Sequence, residues 1–170
     1  MYVGLGLTMF TPVVGALADG PNVFLRYKTW ILGSSFPLAS YILRSLMNML
    51  VTMLHQLPAI ILFWALARMP LHPSMVLAIP GLALMMLFGL GVMLCLGPLG
   101  ATYRDLGPAT QAMTSIVTIL TPIYWDKGSL TGSPVLLANP GYHLLQVVRG
   151  PLLGDPPSAI NWVIAGVAAL

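Results

Sequence analysis

The stretch VLAIPGLALMMLFGLGVMLCLG, residues 76–97, decides the fold class of this chain. It is apolar on every side, whereas the strands of a membrane barrel alternate apolar and polar residues. In lipid every backbone amide needs an internal hydrogen-bond partner, so a run of this kind predicts an α-helix. The whole predicted span, about 75–100, would be about 39 Å long, which exceeds a hydrocarbon core about 30 Å thick. We therefore expect a transmembrane helix that tilts or breaks.

The rest of the chain has a similar composition. Of its 170 residues, 58% are hydrophobic and 6% are charged, whereas a soluble domain carries about 25% charged residues. Charged residues are absent from 1–18, 45–67, 69–103 and 106–125. A chain so poor in charge cannot cover a water-facing surface, so we expect an all-α integral membrane protein.

Turn-forming residues divide the chain into predicted membrane spans and two other segments. The predicted spans cover about 1–18, 40–66, 75–100, 109–125 and 159–170. Residues 23–37 mix cations with aromatic side chains, which suits a membrane interface or a contact surface. Residues 135–154 are apolar but interrupted by proline, which predicts short re-entrant or interfacial helices. Because the sequence begins and ends inside hydrophobic runs, we expect it to be a fragment of a longer protein.

Motifs for enzymatic chemistry are absent from the sequence. There is no GxxxxGK[ST], HExxH or CxxC, and there is no glutamate. The four aspartates are separated in predicted loops, so neither an acid–base pair nor a metal site is expected; they are Asp19, Asp105, Asp126 and Asp155. The net charge of +3 comes from scattered cations, so nucleic acid is not an expected partner. We expect a protein that is not an enzyme.

Polar side chains inside the second predicted span are candidates for function, because their burial in lipid is costly. Arg44 lies about one turn into that span. It either reaches the lipid head groups of the membrane or attracts the anionic head group of a substrate. His55 and Gln56 lie near the middle of the span, where they either form interhelical hydrogen bonds or line a pathway.

A second group of candidates lies in the last third of the chain. His143, Gln146 and Arg149 are three residues apart and share part of a helix face. This face belongs either to an interfacial helix whose polar side meets water or to a gate over a translocation path. Tyr124 and Trp125 have the amphipathic character of residues at a membrane–water boundary, and they are also candidates for stacking on sugar rings.

Several short motifs occur in order along nearly the whole chain. They are FPLASYILR (36–44), ATYRDLGP (101–108), LTPIYW (120–125), NPGYHLLQVVRGPLLG (139–154) and PS (157–158). In this combination the chain resembles the membrane permease of ABC-2-type exporters of polysaccharides and lipid-linked O-antigens. The resemblance implies about six spans in the family protein, of which this chain would cover the second to the start of the sixth.

The resemblance also implies partners and a location. Two copies of the permease would form the pore as a homodimer in the bacterial inner membrane, surrounded by membrane lipids. A separate ABC ATPase subunit would hold ATP and magnesium, so this chain itself would bind no cofactor. The expected cargo is polysaccharide or an undecaprenyl-pyrophosphate-linked glycan, such as O-antigen, capsule or a teichoic-acid-like polymer. The alternatives are a drug or lipid cargo, or a membrane-embedded lipid-modifying enzyme with an intramembrane carboxylate or a His/Asp cluster.

By similarity, residues 24–36 would hold a short coupling helix that contacts the ATPase. Its expected contact residues are Tyr27, Lys28, Trp30 and Ile31. A cytoplasmic loop would contain Tyr103, Arg104 and Asp105. Residues 135–153 would form short helices on the outer side of the membrane. The outer gate or substrate path would include Tyr124, Trp125, Asn139, His143, Gln146 and Arg149.

Overall fold

The computed structural model describes residues 2–66, 68, 70–124 and 134–170, and in these ranges the chain forms helices and no strand. The helices are α1 (Tyr2–Asp19), α2 (Val23–Arg26), α3 (Lys28–Gly33), α4 (Leu38–Leu66), α5 (Ala78–Thr102), α6 (Leu106–Leu120), α7 (Pro134–Leu137), α8 (Pro140–Leu152) and α9 (Ala159–Ala169). Short 3-10 turns at Gly20–Asn22 and Pro73–Leu77 precede α2 and α5. The predicted all-α class is confirmed.

Three helical stretches are long and apolar enough to cross a membrane. Tyr2–Gly33, which contains α1 to α3, has 32 residues and a mean hydropathy of 1.3. Leu38–Leu66 has 29 residues and a mean hydropathy of 1.8, and Pro73–Thr102 has 30 residues and a mean hydropathy of 2.3. α9 is a shorter apolar helix. These lengths and compositions indicate a membrane protein.

α5 has a central position because small residues line its buried face. The buried residues of this helix are Gly81, Met85, Gly89, Met93, Gly97 and Gly100. They are three or four residues apart and therefore share one face. A Cβ added to Gly81 would lie 2.5 Å from the Val147 carbonyl oxygen, and one added to Gly100 would clash with the Pro21 carbonyl oxygen. Glycine thus permits close backbone approach near both ends of α5, which continues unbroken from Ala78 to Thr102.

The fourth predicted span, 109–125, is a shorter helix with different ends. α6 begins at Leu106, ends at Leu120 and has 15 residues, which gives a length of about 22 Å. Thr121 has an extended backbone with ψ of 133°. A proline disfavours the helical conformation of the residue before it, and Pro122 directly follows Thr121. The expected helix end at 125 is therefore wrong; Trp125 itself lies outside the described residues.

Two short helices occur where one coupling helix was expected over 24–36. α2 and α3 are separated by Tyr27, whose φ of −98° and ψ of 13° depart from helical values. Residues 34–37 then have no helical structure before α4 begins at Leu38. The predicted segment therefore contains α2, a break at Tyr27 and the six-residue helix α3.

Contacts between helices define two ends of the bundle. At one end, Gly100 of α5 lies against Pro21 and Gly107 of α6 lies against Asn22. An added Cβ atom would clash with Pro21 at the first position and would lie 3.0 Å from the Asn22 side chain at the second. This end holds α2, α3 and the loop between α5 and α6, and we call it the α3 end. At the other end, the Ser74 hydroxyl before α5 donates to the Pro151 carbonyl oxygen of α8 at 3.1 Å. We call this the α8 end.

Candidate functional site

A cavity opens between α1, α4 and α6. It has a volume of about 330 Å³ and is lined by Leu7, Thr11, Val14, Gln56, Thr118 and Tyr124. α1 packs against both α4 and α6 and so lies between them. Leu7, Thr11 and Val14 recur at helical spacing on one face of α1, which forms the floor of the cavity.

A second cavity continues from the first along α1 and α4. Its volume is about 580 Å³, and its lining residues are Gly4, Leu5, Thr8, His55, Gln56, Ala59 and Ile60. Gln56 lines both cavities. We call the two cavities together the polar groove.

The walls of the polar groove continue as polar but uncharged helix faces. On α4, Asn48 and Thr52 precede Gln56 by two turns and one turn, and both are exposed. On α6, Gln111 and Ser115 are exposed and precede Thr118 at helical spacing. The sequence of 2–18, 45–66 and 106–124 contains no charged residue. The described residues that line the groove therefore include no Lys, Arg, Asp or Glu.

His55 and Gln56 were expected either to join helices or to line a pathway. The His55 Nδ1 atom lies 2.7 Å from the Val51 carbonyl oxygen, which belongs to the same helix. His55 is exposed, and Gln56 is half-buried in the lining of the groove. The His55 hydrogen bond therefore stays within α4, and both residues line the groove.

α8 is buried along nearly its whole length, from Gly141 to Pro151. It packs against α1, α5 and α9. The exposed fractions of His143, Gln146 and Arg149 are 0%, 4% and 1%. The interpretation of α8 as an interfacial helix with its polar side in water is therefore wrong, because these side chains face other parts of the protein.

α8 begins about halfway along α1. A Cβ added to Gly141 would lie 3.1 Å from Cζ of Phe10, which is in the middle of α1. One added to Gly6, near the start of α1, would lie 3.2 Å from Nη1 of Arg149. α8 therefore runs from the middle of the bundle back towards the α8 end. A short helix that starts inside the bundle and is covered by other helices has the arrangement of a re-entrant helix.

Asn139 fixes the inner end of α8. Its side-chain oxygen accepts a hydrogen bond of 2.9 Å from the Gly141 amide, as an N-cap residue does. Its amide nitrogen donates to the Thr121 hydroxyl at 3.2 Å. Asn139 was expected at the gate or substrate path. The structure gives it the more specific position of a cap that joins α8 to the end of α6.

Arg149 joins the outer half of α8 to two other segments. Its Nη1 donates to the Pro122 carbonyl oxygen and its Nη2 donates to the Tyr2 hydroxyl, both at 2.7 Å. The Arg149 Cζ atom also lies 3.9 Å from the centre of the Tyr2 ring. A guanidinium group supports this combination because it is planar and carries several donors. Tyr2 was a candidate for stacking on sugar rings and not for pairing with Arg149, since nothing in the sequence links positions so far apart.

His143 makes two further polar contacts of α8. Its Nδ1 lies 2.8 Å from Oδ1 of Asn161 in α9, and its Nε2 lies 3.1 Å from the Leu137 carbonyl oxygen of α7. Asn161 was also missed by the sequence interpretation, although an amide inside the apolar run 159–170 is the kind of signal that marks a buried partner. Polar groups thus connect α8 to α1, α7, α9 and the segment that follows α6.

The predicted coupling residues do not all face outward. Tyr27 is 8% exposed, and its ring lies 5.5 Å from the Tyr41 ring. The Arg44 Cζ atom lies 5.4 Å from the centre of the same Tyr27 ring. Lys28 and Trp30 are exposed and Ile31 is half-buried. Tyr27 therefore contributes to the internal packing of the α3 end, while Lys28 and Trp30 lie on its surface.

The predicted loop residues Tyr103, Arg104 and Asp105 are exposed at the same α3 end. Within the described residues, no group of three or more His, Cys, Asp or Glu side chains is placed to hold a metal ion. Comparison with the models of known protein families, with curated proteins and with solved structures finds no match to this chain. Function therefore has to be argued from the residues and geometry of the site.

Proposed function

We propose that the chain is the membrane-spanning permease subunit of an ATP-driven exporter of polysaccharide or undecaprenyl-pyrophosphate-linked glycan. The observation that carries this proposal is the polar groove. Hydroxyl, amide and aromatic groups line it together with apolar side chains, and the helices around it include two that are long and apolar enough to cross a membrane. A sugar chain carries many hydroxyl groups, and it needs polar surroundings if it is to pass a hydrocarbon layer.

The composition of the groove favours a glycan over a drug or lipid cargo. The residues that line its first cavity offer hydrogen-bonding groups from three separate segments: Thr11, Gln56, and the pair Thr118 and Tyr124. Thr11 and Thr118 already donate to their own helices, so an apolar cargo would leave the Gln56 amide and the Tyr124 hydroxyl without partners, at a cost of about 1–3 kcal/mol for each group that becomes buried. An aromatic ring such as that of Tyr124 also provides a flat apolar face on which a sugar can stack.

In this proposal α8 acts as the gate and the α3 end receives the ATPase. α8 blocks the α8 end of the bundle and is held by polar contacts that can be exchanged. Trp30, which is 64% exposed, and the neighbouring Lys28 provide the aromatic and cationic groups that suit a protein contact. The permease works as a homodimer in the bacterial inner membrane, with ATP and magnesium bound by the separate subunit.

The function is tested by deletion of the gene that encodes the chain and by complementation. Deletion should remove polysaccharide from the cell surface and leave lipid-linked glycan inside the cell, and the wild-type gene should restore export. A Lys28→Glu, Trp30→Ala double variant should lose both export and co-purification of the ATPase subunit. Ser158→Ala, at the α8 end, is the matched control and should retain both.

Two results would contradict the proposal in different ways. Unchanged surface polysaccharide in the deletion strain would show that the cargo is something else. Full co-purification of the ATPase with the double variant would show that α3 is not the coupling contact.

A further inference from the structure

Two threonine hydroxyls that line the first cavity of the polar groove, those of Thr11 and Thr118, have their protons committed to their own helices. Thr11 Oγ1 donates to the Leu7 carbonyl oxygen at 3.1 Å, and Thr118 Oγ1 donates to the Thr114 carbonyl oxygen at 2.7 Å. A hydroxyl group has one proton and two lone pairs. Each of these side chains therefore offers lone pairs, and no proton, to a molecule in the groove.

The next threonine along the chain, the C-cap residue of α6, already shows how such a hydroxyl binds a second partner. Thr121 Oγ1 donates to the Val117 carbonyl oxygen at 2.8 Å. The same oxygen accepts a hydrogen bond from the Asn139 amide group at 3.2 Å. A back-bonded threonine of this helix therefore acts as an acceptor towards a donor from another segment. Thr118 lies one turn earlier and has the same bond to its own helix, and its cavity is open to a ligand.

An anionic ligand would find a poor match in the same place. The segments that form the groove carry no Lys or Arg between Tyr2 and Ala18, between 45 and 66, or between 106 and 124. In the first cavity a carboxylate or phosphate would meet the lone pairs of Thr11 and Thr118, with the Gln56 amide and the Tyr124 hydroxyl as donors, and the His55 ring lines the second cavity. Removal of an ionised group from water is costly unless a counter-charge is present.

We propose that the polar groove selects uncharged, hydroxyl-rich chains and discriminates against acidic ones. Thr118 and Thr11 accept hydrogen bonds from ligand hydroxyls, Gln56 supplies both a donor and an acceptor, and the Tyr124 ring offers its face. The inference rests on the proposed export function and makes it more specific. The sugar part that occupies the groove is neutral, and a polymer rich in uronic acid or phosphate is not its ligand.

The test uses the purified protein in lipid nanodiscs and two oligosaccharides of equal length. Maltoheptaose is the neutral probe, and heptagalacturonic acid is the acidic probe; binding is measured by equilibrium dialysis. We expect maltoheptaose to bind at least tenfold more tightly than the acidic probe. Thr118→Val keeps the shape of the side chain and removes the acceptor, so it should weaken maltoheptaose binding about 3- to 10-fold.

The matched control is Thr102→Val. Thr102 is exposed at the end of α5 and donates to the Pro98 carbonyl oxygen at 3.1 Å, so its hydroxyl is back-bonded in the same manner outside the groove. This control should leave maltoheptaose binding unchanged. A third variant, Thr118→Lys, adds a cation to the groove and should increase binding of heptagalacturonic acid at least fivefold.

Equal or tighter binding of the acidic probe to the wild-type protein would overturn the inference, as would equal effects of Thr118→Val and Thr102→Val. Absence of binding by either probe would overturn it as well. The deletion experiment fails or succeeds independently of these results. Selective binding of maltoheptaose together with unchanged surface polysaccharide would support a binding site for neutral glycans and would contradict the proposed export function.

Discussion

At the scale of the residue, Arg149 has the most demanding environment in the described part of the chain. It is a cation that is 1% exposed in a helix inside the bundle. A buried charge is tolerated only when its donors are satisfied. The Pro122 carbonyl and the Tyr2 hydroxyl and ring supply two acceptors and one aromatic face at once. The planar guanidinium group is therefore needed in addition to the charge.

Arg149→Lys should lower the stability of the protein although it keeps the charge. An ammonium group cannot place two donors at the Pro122 and Tyr2 oxygens and also stack on the ring. We expect a loss of about 1–3 kcal/mol, seen as a lower midpoint of thermal unfolding by circular dichroism in detergent. The control is Arg26→Lys, in the exposed pair with Asp19, where the change should stay within about 0.5 kcal/mol. Equal midpoints for the two variants would show that the Arg149 contacts do not stabilise the bundle.

These single residues also show the limits of prediction from the sequence. The spacing of His143, Gln146 and Arg149 predicts that they share part of a helix face. Whether that face meets water or protein depends on Tyr2 and Asn161, which are remote in sequence. Threonine gives still less information, because it is frequent in membrane helices and bonds to its own backbone. Gln56 was recognised as a candidate for the groove, whereas Thr118 was not.

At the scale of the element, helix lengths followed from the lengths of the apolar runs, and helix ends depended on local backbone chemistry. α4 and α5 lie within a few residues of the predicted spans 40–66 and 75–100. α6 differs because the residue before Pro122 is forced out of the helical conformation. The position of α8 inside the bundle was left open by the sequence, since apolar length alone does not separate a re-entrant from an interfacial helix.

The contact between α5 and α8 depends on Gly81. A Cβ at this position would lie 2.5 Å from the carbonyl oxygen and 2.8 Å from the carbonyl carbon of Val147, both of which are backbone atoms. Gly81→Ala should therefore displace α8 and destabilise the protein by about 1–3 kcal/mol. Gly91→Ala on the same helix meets nothing within 4 Å, and alanine should there stabilise α5 by up to about 1 kcal/mol.

The measurement for this pair is again thermal unfolding in detergent, with both variants purified in parallel. A lower midpoint for Gly81→Ala and an equal or higher midpoint for Gly91→Ala are expected. If both variants unfold at the wild-type temperature, α8 does not pack against α5 as closely as the Gly81 contact requires.

At the scale of the whole molecule, the bundle has two chemically different ends. The α3 end presents Lys28 and Arg104 together with exposed aromatic side chains, while the α8 end holds the buried α8 and the start of α9. The cations are scattered along the chain, so the sequence alone does not determine orientation. The contacts of Gly100 with Pro21 and of Gly107 with Asn22 are what place the two predicted cytoplasmic segments together.

Cysteine labelling tests this arrangement across the membrane. Cys95 is the native cysteine and is first replaced by alanine; single cysteines are then introduced as Arg104→Cys, Lys28→Cys and Ser158→Cys, all at exposed positions. A membrane-impermeant maleimide applied to intact inner-membrane spheroplasts should label Ser158→Cys at once. It should label Lys28→Cys and Arg104→Cys only after permeabilisation, because the α3 end faces the ATPase in the cytoplasm.

Lys28→Cys is the internal control, because α3 and the loop between α5 and α6 must behave alike if they lie at one end. The inverted pattern would leave the bundle intact but would place α3 on the outer side, out of reach of a cytosolic ATPase. Labelling of all three positions from the same side would show that α5 does not cross the membrane between Pro73 and Thr102. That result would remove the physical basis of the export proposal, because a groove that does not pass from one side to the other cannot serve as a path for a polymer.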